Sequence, residues 1–350
     1  MSQRLIAAVV AAPLLAALIA TAALVKVPYV RYQPGLTVDV LGAEDGEEII
    51  TVQGHRTYRD DGQLRLTTVY VSPPDGGVGV FTALDAWLDP EDALYPYDTV
   101  YPDNQTQEDA DQRSSAQMVS SQDTAVAVAM TEMGYDVPQT AEVLAVTEGM
   151  PADGKLKVRD QLLRIGDTRI RTVEDVFTAV GGAEAGTPLE FVVQRGSERR
   201  TVSVTPKSTP DGPKVGVVPG IGFDFPFDVS VALDPNIGGP SAGLMFSLGV
   251  YDVLTPGSLT GSRTVAGTGT IDPEGRVGPI GGIQQKIVAA EEAGARLFLV
   301  PPDNCAEALS APAGDMRLVR TPTMSAAVQA VEKWTENPDA PLPRCSKEAA

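Results

Sequence analysis

The chain has 350 residues, 43% of them hydrophobic, with 34 glycines and 28 prolines, enough for roughly two or three folded domains. A net charge of -19 argues against a nucleic-acid binder, which needs a basic face to neutralise phosphates. With one histidine and two cysteines, no His- or Cys-rich metal cluster can form, and no metal or other cofactor is implied.

Residues 5–25, LIAAVVAAPLLAALIATAALV, carry no charge. At 1.5 Å per residue, this run spans roughly the ~30 Å hydrocarbon core of a bilayer. Arg4 precedes it, and Lys26 and Arg31 follow. Residues 1–28 are therefore expected to be an uncleaved transmembrane anchor. The rival is a cleaved signal peptide, because Ala20-Thr21-Ala22 has the small-x-small form of a cleavage site. Both readings export the remainder, so the expected place is the cell membrane, with the rest of the chain extracytoplasmic. In that setting Cys305 and Cys345 either pair or stand as two thiols.

Residues 29–125 read as a β-rich extracytoplasmic region. ITVQGHRTY and QLRLTTVYV alternate as short strands bounded by Gly and Asp. Residues 102–116, PDNQTQEDADQRSSA, read as a polar loop that includes the glycosylation sequon Asn104-Gln105-Thr106. TAVAVAMTEMG after it reads as a helix.

Residues 126–208 form the next unit. AEVLAV is a strand, QLLRIGDTRI a strand ending in a turn, and TVEDVFTAVGG an amphipathic helix capped by Thr172. LEFVVQRGSERRTVSVTP is a hairpin turning at Arg195-Gly196. GMPADGKLKVRDQLLRIGDTRI and TVEDVFTAV resemble a PDZ domain, with Arg159-Asp160 where that family usually shows Gly-Asp. The resemblance implies binding of an extended peptide at a sheet edge. The carboxylate loop would run from Met133 to Val137, through Gly134 and Tyr135. Val173, Val176 and Phe177 would wall the groove; as plain sequence they read equally well as core. Gly149 to Lys155 also fits G-x-x-x-x-G-K, but Leu156 stands where a phosphate loop needs Ser or Thr, so ATP binding is rejected there.

Residues 209–340 alternate strands and helices, as an α/β domain does. VGVV, DVSVAL, TVAGTGTI, LFLVP and LVRT are its strands. SAGLMFSLGVYDVL, GGIQQKIVAAEEAGA and MSAAVQAVEKW are its main helices, and residues 341–350 form a tail. The chain as a whole reads as a multidomain protein of α/β and α+β class.

Ser241 lies in GGPSAGLMFSLG, between glycines, a proline and an apolar run. Such a serine is either a helix cap or a nucleophile with bare backbone around it. His55, from another region, is the one histidine a Ser-His-Asp triad could use. Lys286 falls on or beside the apolar stripe of Ile283, Ile287, Ala290 and Gly294 at helical spacing. It either snorkels to water or is buried, with its pKa lowered toward that of a general base.

Two stretches, Asp234 to Gly243 and GTGTIDPEGRVGPIGGIQQKIVAAEEAGA, resemble the two signatures of the Lon protease catalytic domain. Carried over by position, the resemblance implies that Ser241 is the nucleophile and Lys286 the base. Gly239, Pro240 and Ala242 would support the oxyanion and its loop. Asp234 would shape the loop and Thr268 hydrogen-bond the lysine, although turn and plain-strand roles also fit these two. With the apolar run and the PDZ-like unit, the chain resembles the YlbL-type PDZ-containing Lon-like membrane proteases. That implies a serine endopeptidase acting without ATP on unfolded or exposed proteins and peptides, with no nucleic acid involved, and assembly into a homo-oligomeric ring. The competing reading is a PDZ-based binding or scaffolding protein with an inactive Lon-like domain.

Overall fold

A computed structural model of the chain describes residues 3–44, 46–59, 61–101, 106–234 and 236–346, with side chains from residue 9 onward. Its central feature is a six-stranded sheet in the order Arg317–Arg320, Leu297–Val300, Thr264–Gly267, Gln63–Val71, Tyr29–Asp39, Ala93–Pro96. The first four strands are mutually parallel; the last two join antiparallel. Successive residues point to opposite faces. Val265, Leu297 and Leu299 pack into the core that holds the buried helix Gly243–Leu254. Ala266, Phe298 and Val300 pack under the helix Ile283–Glu292, against Ile283, Ile287 and Ala290. Covering both faces is what a largely parallel sheet requires.

A second sheet runs Glu198–Val204, Leu189–Arg195, Gln161–Ile165, Gln139–Val146, Val217–Phe223, with Thr168–Arg169 paired onto Gln161–Ile165. Its own core contains Val143, Leu156, Ile165, Val176, Phe191 and Val193. Thr172 caps the helix Val173–Gly181 through a reciprocal capping box with Asp175.

The sequence-based division of the chain meets three differences. Residues 29–125, set apart as a β-rich region, supply three strands of the central sheet, and Ile50–Gln53 pairs with Asp228–Val231. The strand Val217–Phe223, assigned to the last domain, pairs instead with Gln139–Val146. The polar loop expected over 102–116 is helical from Gln107, because Thr106 and Asp109 form a capping box, and the helix Gln107–Glu132 runs unbroken across the expected boundary at 125/126. Residues 121–130 of this helix are buried on every side between the helix Gly243–Leu254 and the second sheet, so it shows no single apolar stripe. Asn104 of the sequon lies outside the described residues.

The N-terminal helix spans Gln3–Leu24, and its apolar side chains from Val9 onward are largely exposed. Among the described residues no helix is long and apolar enough to cross a membrane; the side chains of residues 5–8, within the expected span, lie outside the described set. Of the two fates open to the cysteines the structure has the bonded one, Cys305 to Cys345, which ties the tail beneath the edge strand Arg317–Arg320. The bridge closes a sequence separation of 40 residues, for which chain entropy gives about 2–4 kcal/mol of stabilisation. Cys345→Ser is expected to lower the thermal midpoint under oxidising conditions, and reduction of the wild type to lower it equally. An unchanged midpoint in both would remove the bridge from the stability of the fold.

Candidate active site

The Lys286 side chain is 2% exposed, although it sits one turn into a helix whose first residue is Ile283. Gly282 makes this possible. It holds a left-handed φ of 69°, and a Cβ there would press on Val69 and Tyr32. The helix can therefore start tight against the strands Tyr29–Asp39 and Gln63–Val71, with the lysine aimed between them and Thr264–Gly267. Nζ lies 2.7 Å from the Thr67 carbonyl, 2.8 Å from Ser241 Oγ and 3.2 Å from Thr268 Oγ1. None of these neighbours is a carboxylate, and burial lowers the amine pKa from 10.5 to about 7.

The donors and acceptors fix which way the amine faces. The Thr67 carbonyl can only accept. Thr268 spends its hydroxyl proton on the Ser241 carbonyl at 3.0 Å, so its oxygen accepts from Nζ. A neutral amine has two N–H bonds for these two acceptors. Its lone pair is then left facing Ser241 Oγ, where it can accept the hydroxyl proton. Gly269 N–H also donates to the Ser241 carbonyl, at 2.8 Å. The serine loop is thereby held to the end of the strand Thr264–Gly267.

Ser241 itself is not a helix cap. The cap position belongs to Ala242, which makes no side-chain capping bond. Among the described residues, the Ser241 and Ala242 N–H groups donate to no protein acceptor. They lie at the positive end of the helix Gly243–Leu254, where backbone donors and the helix dipole favour an anion. Pro240 and Gly239 are pinned from the other side by the long helix Gln107–Glu132. Ser121 Oγ donates to the Pro240 carbonyl at 3.1 Å, and Gly239 N–H to the Ser114 carbonyl at 3.1 Å. Gly239 has φ of 86°, which its lack of a side chain permits.

The remaining sequence candidates fall in different places. Asp234 accepts from the backbone and side chain of Asn236, as a turn former does. Met133, Tyr135 and Val137 pack against the core of the central sheet, and Tyr135 contacts Phe227 and lies 3.2 Å from His55 Nε2. Gly134 turns the chain there with φ of 89°. Val173 and Val176 belong to the separate core of the second sheet, and Phe177 is exposed. The expected carboxylate loop thus packs on the core of the central sheet and the expected groove wall borders that of the second. His55 stacks on Phe227 with ring centroids 4.5 Å apart and takes no part in the serine's hydrogen bonds. Reasoning from sequence missed Thr67, Ser114 and Ser121. Thr67 and Ser114 act through backbone carbonyls, which carry no residue-type signal.

Beside the serine loop opens a cleft of about 770 Å³. Gln112, Arg113 and Gln117 of the long helix line one wall; Leu144 and Val218 of the second sheet, with Pro240 and Ile271, line the others. A chain lying there touches both sheets' domains and reaches the loop that carries Ser241.

Residues 235–330 match the Lon protease (S16) C-terminal proteolytic domain family, and residues 116–205 match the PDZ domain family. A Lon protease of Desulforamulus reducens is 42% identical over 66 residues, which is 19% of this chain and 8% of that protein. Lon protease 1 of Herpetosiphon aurantiacus is 34% identical over 105 residues, 29% of this chain and 12% of that protein. The match thus spans about a tenth of the length of these relatives. Among solved structures, the PDZ domain of the SdrC-like protein from Listeria innocua is similar at 20% identity, over 23% of this chain and 92% of that chain, with a TM-score of 0.22. One chain therefore carries, in order, a stretch similar to PDZ domains and a stretch similar to the Lon proteolytic domain.

Proposed function

We propose that this chain is a membrane-anchored serine endopeptidase that cleaves proteins without ATP, with Ser241 as nucleophile and Lys286 as general base. The observation that carries the reading is a buried amine 2.8 Å from a serine hydroxyl, with no carboxylate among the groups it contacts. Neutral Lys286 takes the Ser241 proton as Oγ attacks a peptide carbonyl. The ammonium then gives that proton to the departing amine, and an acyl-enzyme remains. Lys286 next takes a proton from water as the water attacks the ester carbonyl. The Ser241 oxygen recovers a proton from the ammonium as the acid leaves. The Ser241 and Ala242 N–H groups supply donors for the oxyanion in both steps.

Other features favour the same setting. Residues 5–25 are long and apolar enough, as sequence, for a single span, and the Cys305–Cys345 bridge suits an oxidising, extracytoplasmic compartment. At the one P-loop-like stretch, Leu156 is buried in the core of the second sheet and offers no magnesium ligand. The PDZ domain selects or positions unfolded or exposed segments, which lie in the cleft between the long helix and the serine loop. Assembly into a ring is the expected oligomeric form.

Three outcomes test this reading. Purified full-length protein is expected to cleave casein without nucleotide, while Ser241→Ala and Lys286→Ala fall to background. A covalent serine-directed probe, mapped by mass spectrometry, is expected on Ser241 in the wild type. Undiminished cleavage by either variant would sink the dyad, and the scaffolding reading would take its place.

The pH dependence follows from the lowered amine pKa. Activity needs the neutral amine, so kcat/KM is expected to rise about tenfold per pH unit below pH 7 and to level off above it. Stability carries the same signature. Between pH 7 and 10.5 the unfolded lysine holds more protons than the folded one, so the Lys286 contribution to stability rises with pH across that window. Relative to Lys286→Met, the wild type is therefore expected to gain stability from pH 7 to pH 9.5 in thermal melts. A constant difference would mean that the lysine is charged in the fold.

Ser121→Ala removes one hydrogen bond that holds the nucleophile loop. It is expected to lower kcat by up to about tenfold, with KM and the thermal midpoint little changed. A shift in KM alone would assign Ser121 to substrate binding instead.

A further inference from the structure

The helix Val80–Leu88 wears its apolar face outward. At about 100° per residue, Phe81, Leu84, Trp87 and Leu88 fall within an arc of about 120°. All four are exposed, Trp87 at 76% and Leu88 at 69%. The one buried residue of the helix, Ala86, points nearly the opposite way. A surface helix packed on a soluble core shows the reverse arrangement.

This helix is fixed to the foot of the N-terminal helix. Lys26–Val27 pairs antiparallel with Val78–Gly79, and the Val80 N–H donates to the Val25 carbonyl at 3.3 Å. Gly77, at φ of 108°, lets the two segments approach, since a Cβ there would run into the Val27 carbonyl. Leu24 and Val25, which end the apolar run, are themselves exposed. The apolar run and the apolar helix face are thus separated by a single two-residue strand pair. Nearby basic side chains are already engaged: Lys26 with Asp75 at 2.5 Å, and Arg31 with Asp85 and Asp92. Attraction to this face therefore comes from apolar insertion rather than from a polybasic patch.

We infer that Val80–Leu88 lies in the boundary between headgroups and acyl chains of the same bilayer that residues 5–25 enter, with Trp87 at the level where indole rings concentrate. The inference rests on the membrane anchoring proposed above. It also places the chemistry. The loop after this helix offers the Glu91 carbonyl to Nε2 of Gln285 at 3.0 Å, and Gln285 directly precedes Lys286. A lipid-seated helix thereby sets the orientation of the lysine helix to the membrane, and the substrates that fit are polypeptide segments lying close to the lipid surface.

Tryptophan emission of the full chain in phosphatidylcholine vesicles tests this. The chain has two tryptophans, and Trp334 is buried in the core, so the difference between wild type and Trp87→Phe isolates Trp87. Its emission is expected at shorter wavelength than that of a hydrated indole. Quenching is expected to be stronger with lipids brominated near the glycerol than with lipids brominated near the chain ends. The double variant Leu84→Ser, Leu88→Ser is expected to float with the vesicles and lose this quenching. Protein that floats while Trp87 keeps a water-like, unquenched emission overturns the inference and leaves the anchor intact. Blue-shifted emission that brominated lipid does not quench assigns the face to contact between copies and also overturns it. Protein that does not float overturns the anchor and the inference together.

Discussion

Lys286 is a cation precursor denied a counter-ion. Desolvation alone disfavours its charge, and two oxygen acceptors, the Thr67 carbonyl and Thr268 Oγ1, then orient what is left. Neither effect survives if the site loosens. Water beside Nζ would restore the charge, and loss of either acceptor would free the lone pair to turn away from Ser241. Four segments must therefore meet within hydrogen-bonding distance: the strand Gln63–Val71, the end of Thr264–Gly267, the helix Ile283–Glu292 and the serine loop. The parallel pairing of Gln63–Val71 with Thr264–Gly267 sets the first two in register, and the tight start at Gly282 brings in the third.

The fourth segment depends on the long helix Gln107–Glu132. Its Ser114 carbonyl and Ser121 hydroxyl hold the loop around Gly239 and Pro240. Its opposite side meets the second sheet, where Asp123 pairs with Arg159 at 3.0 Å and Gln122 accepts from the same guanidinium. Burial, with the Asp123 carboxylate beside it, pushes the Glu142 carboxyl well above the usual carboxylate range. One helix therefore carries the contacts of the second sheet and of the serine loop on adjacent turns. The cleft beside the serine loop is lined by that helix and by both of its neighbours.

The parts legible in the sequence are those whose chemistry sits in short local patterns. The strands and helices of residues 243–336 are of this kind and follow from periodicity, whereas local pattern leaves Ser241 between cap and nucleophile and Lys286 between a snorkelling and a buried amine, and the resemblance to two Lon signatures singles out the pair. The parts that were not legible depend on enclosure or on backbone. Gln107–Glu132 starts polar and is later buried on all sides, so neither half shows the one-sided stripe that marks a surface helix. Val217–Phe223 is a short strand with two glycines and a proline, and nothing local says which sheet it joins. Met133, Tyr135 and Val137 alternate as a peptide-binding loop could, yet the partner they find is the aromatic side chain of Phe227 and the core beneath it. A pattern of apolar residues gives burial without naming the surface that buries it.

The same sharing limits how far the two matched families are separate bodies. A fragment ending at residue 205 lacks Val217–Phe223, and the strand Gln139–Val146 would then present an open edge. Cutting before residue 107 removes Gln63–Val71, which supplies both the Thr67 carbonyl and the parallel neighbour of Thr264–Gly267. The first cut leaves a PDZ domain with an unfinished sheet; the second leaves a serine and a lysine without the oxygen that aims the amine. Since neither half closes its own hydrogen bonds, the second sheet and the geometry at Ser241 belong to one packed unit, joined through the buried turns of Gln107–Glu132.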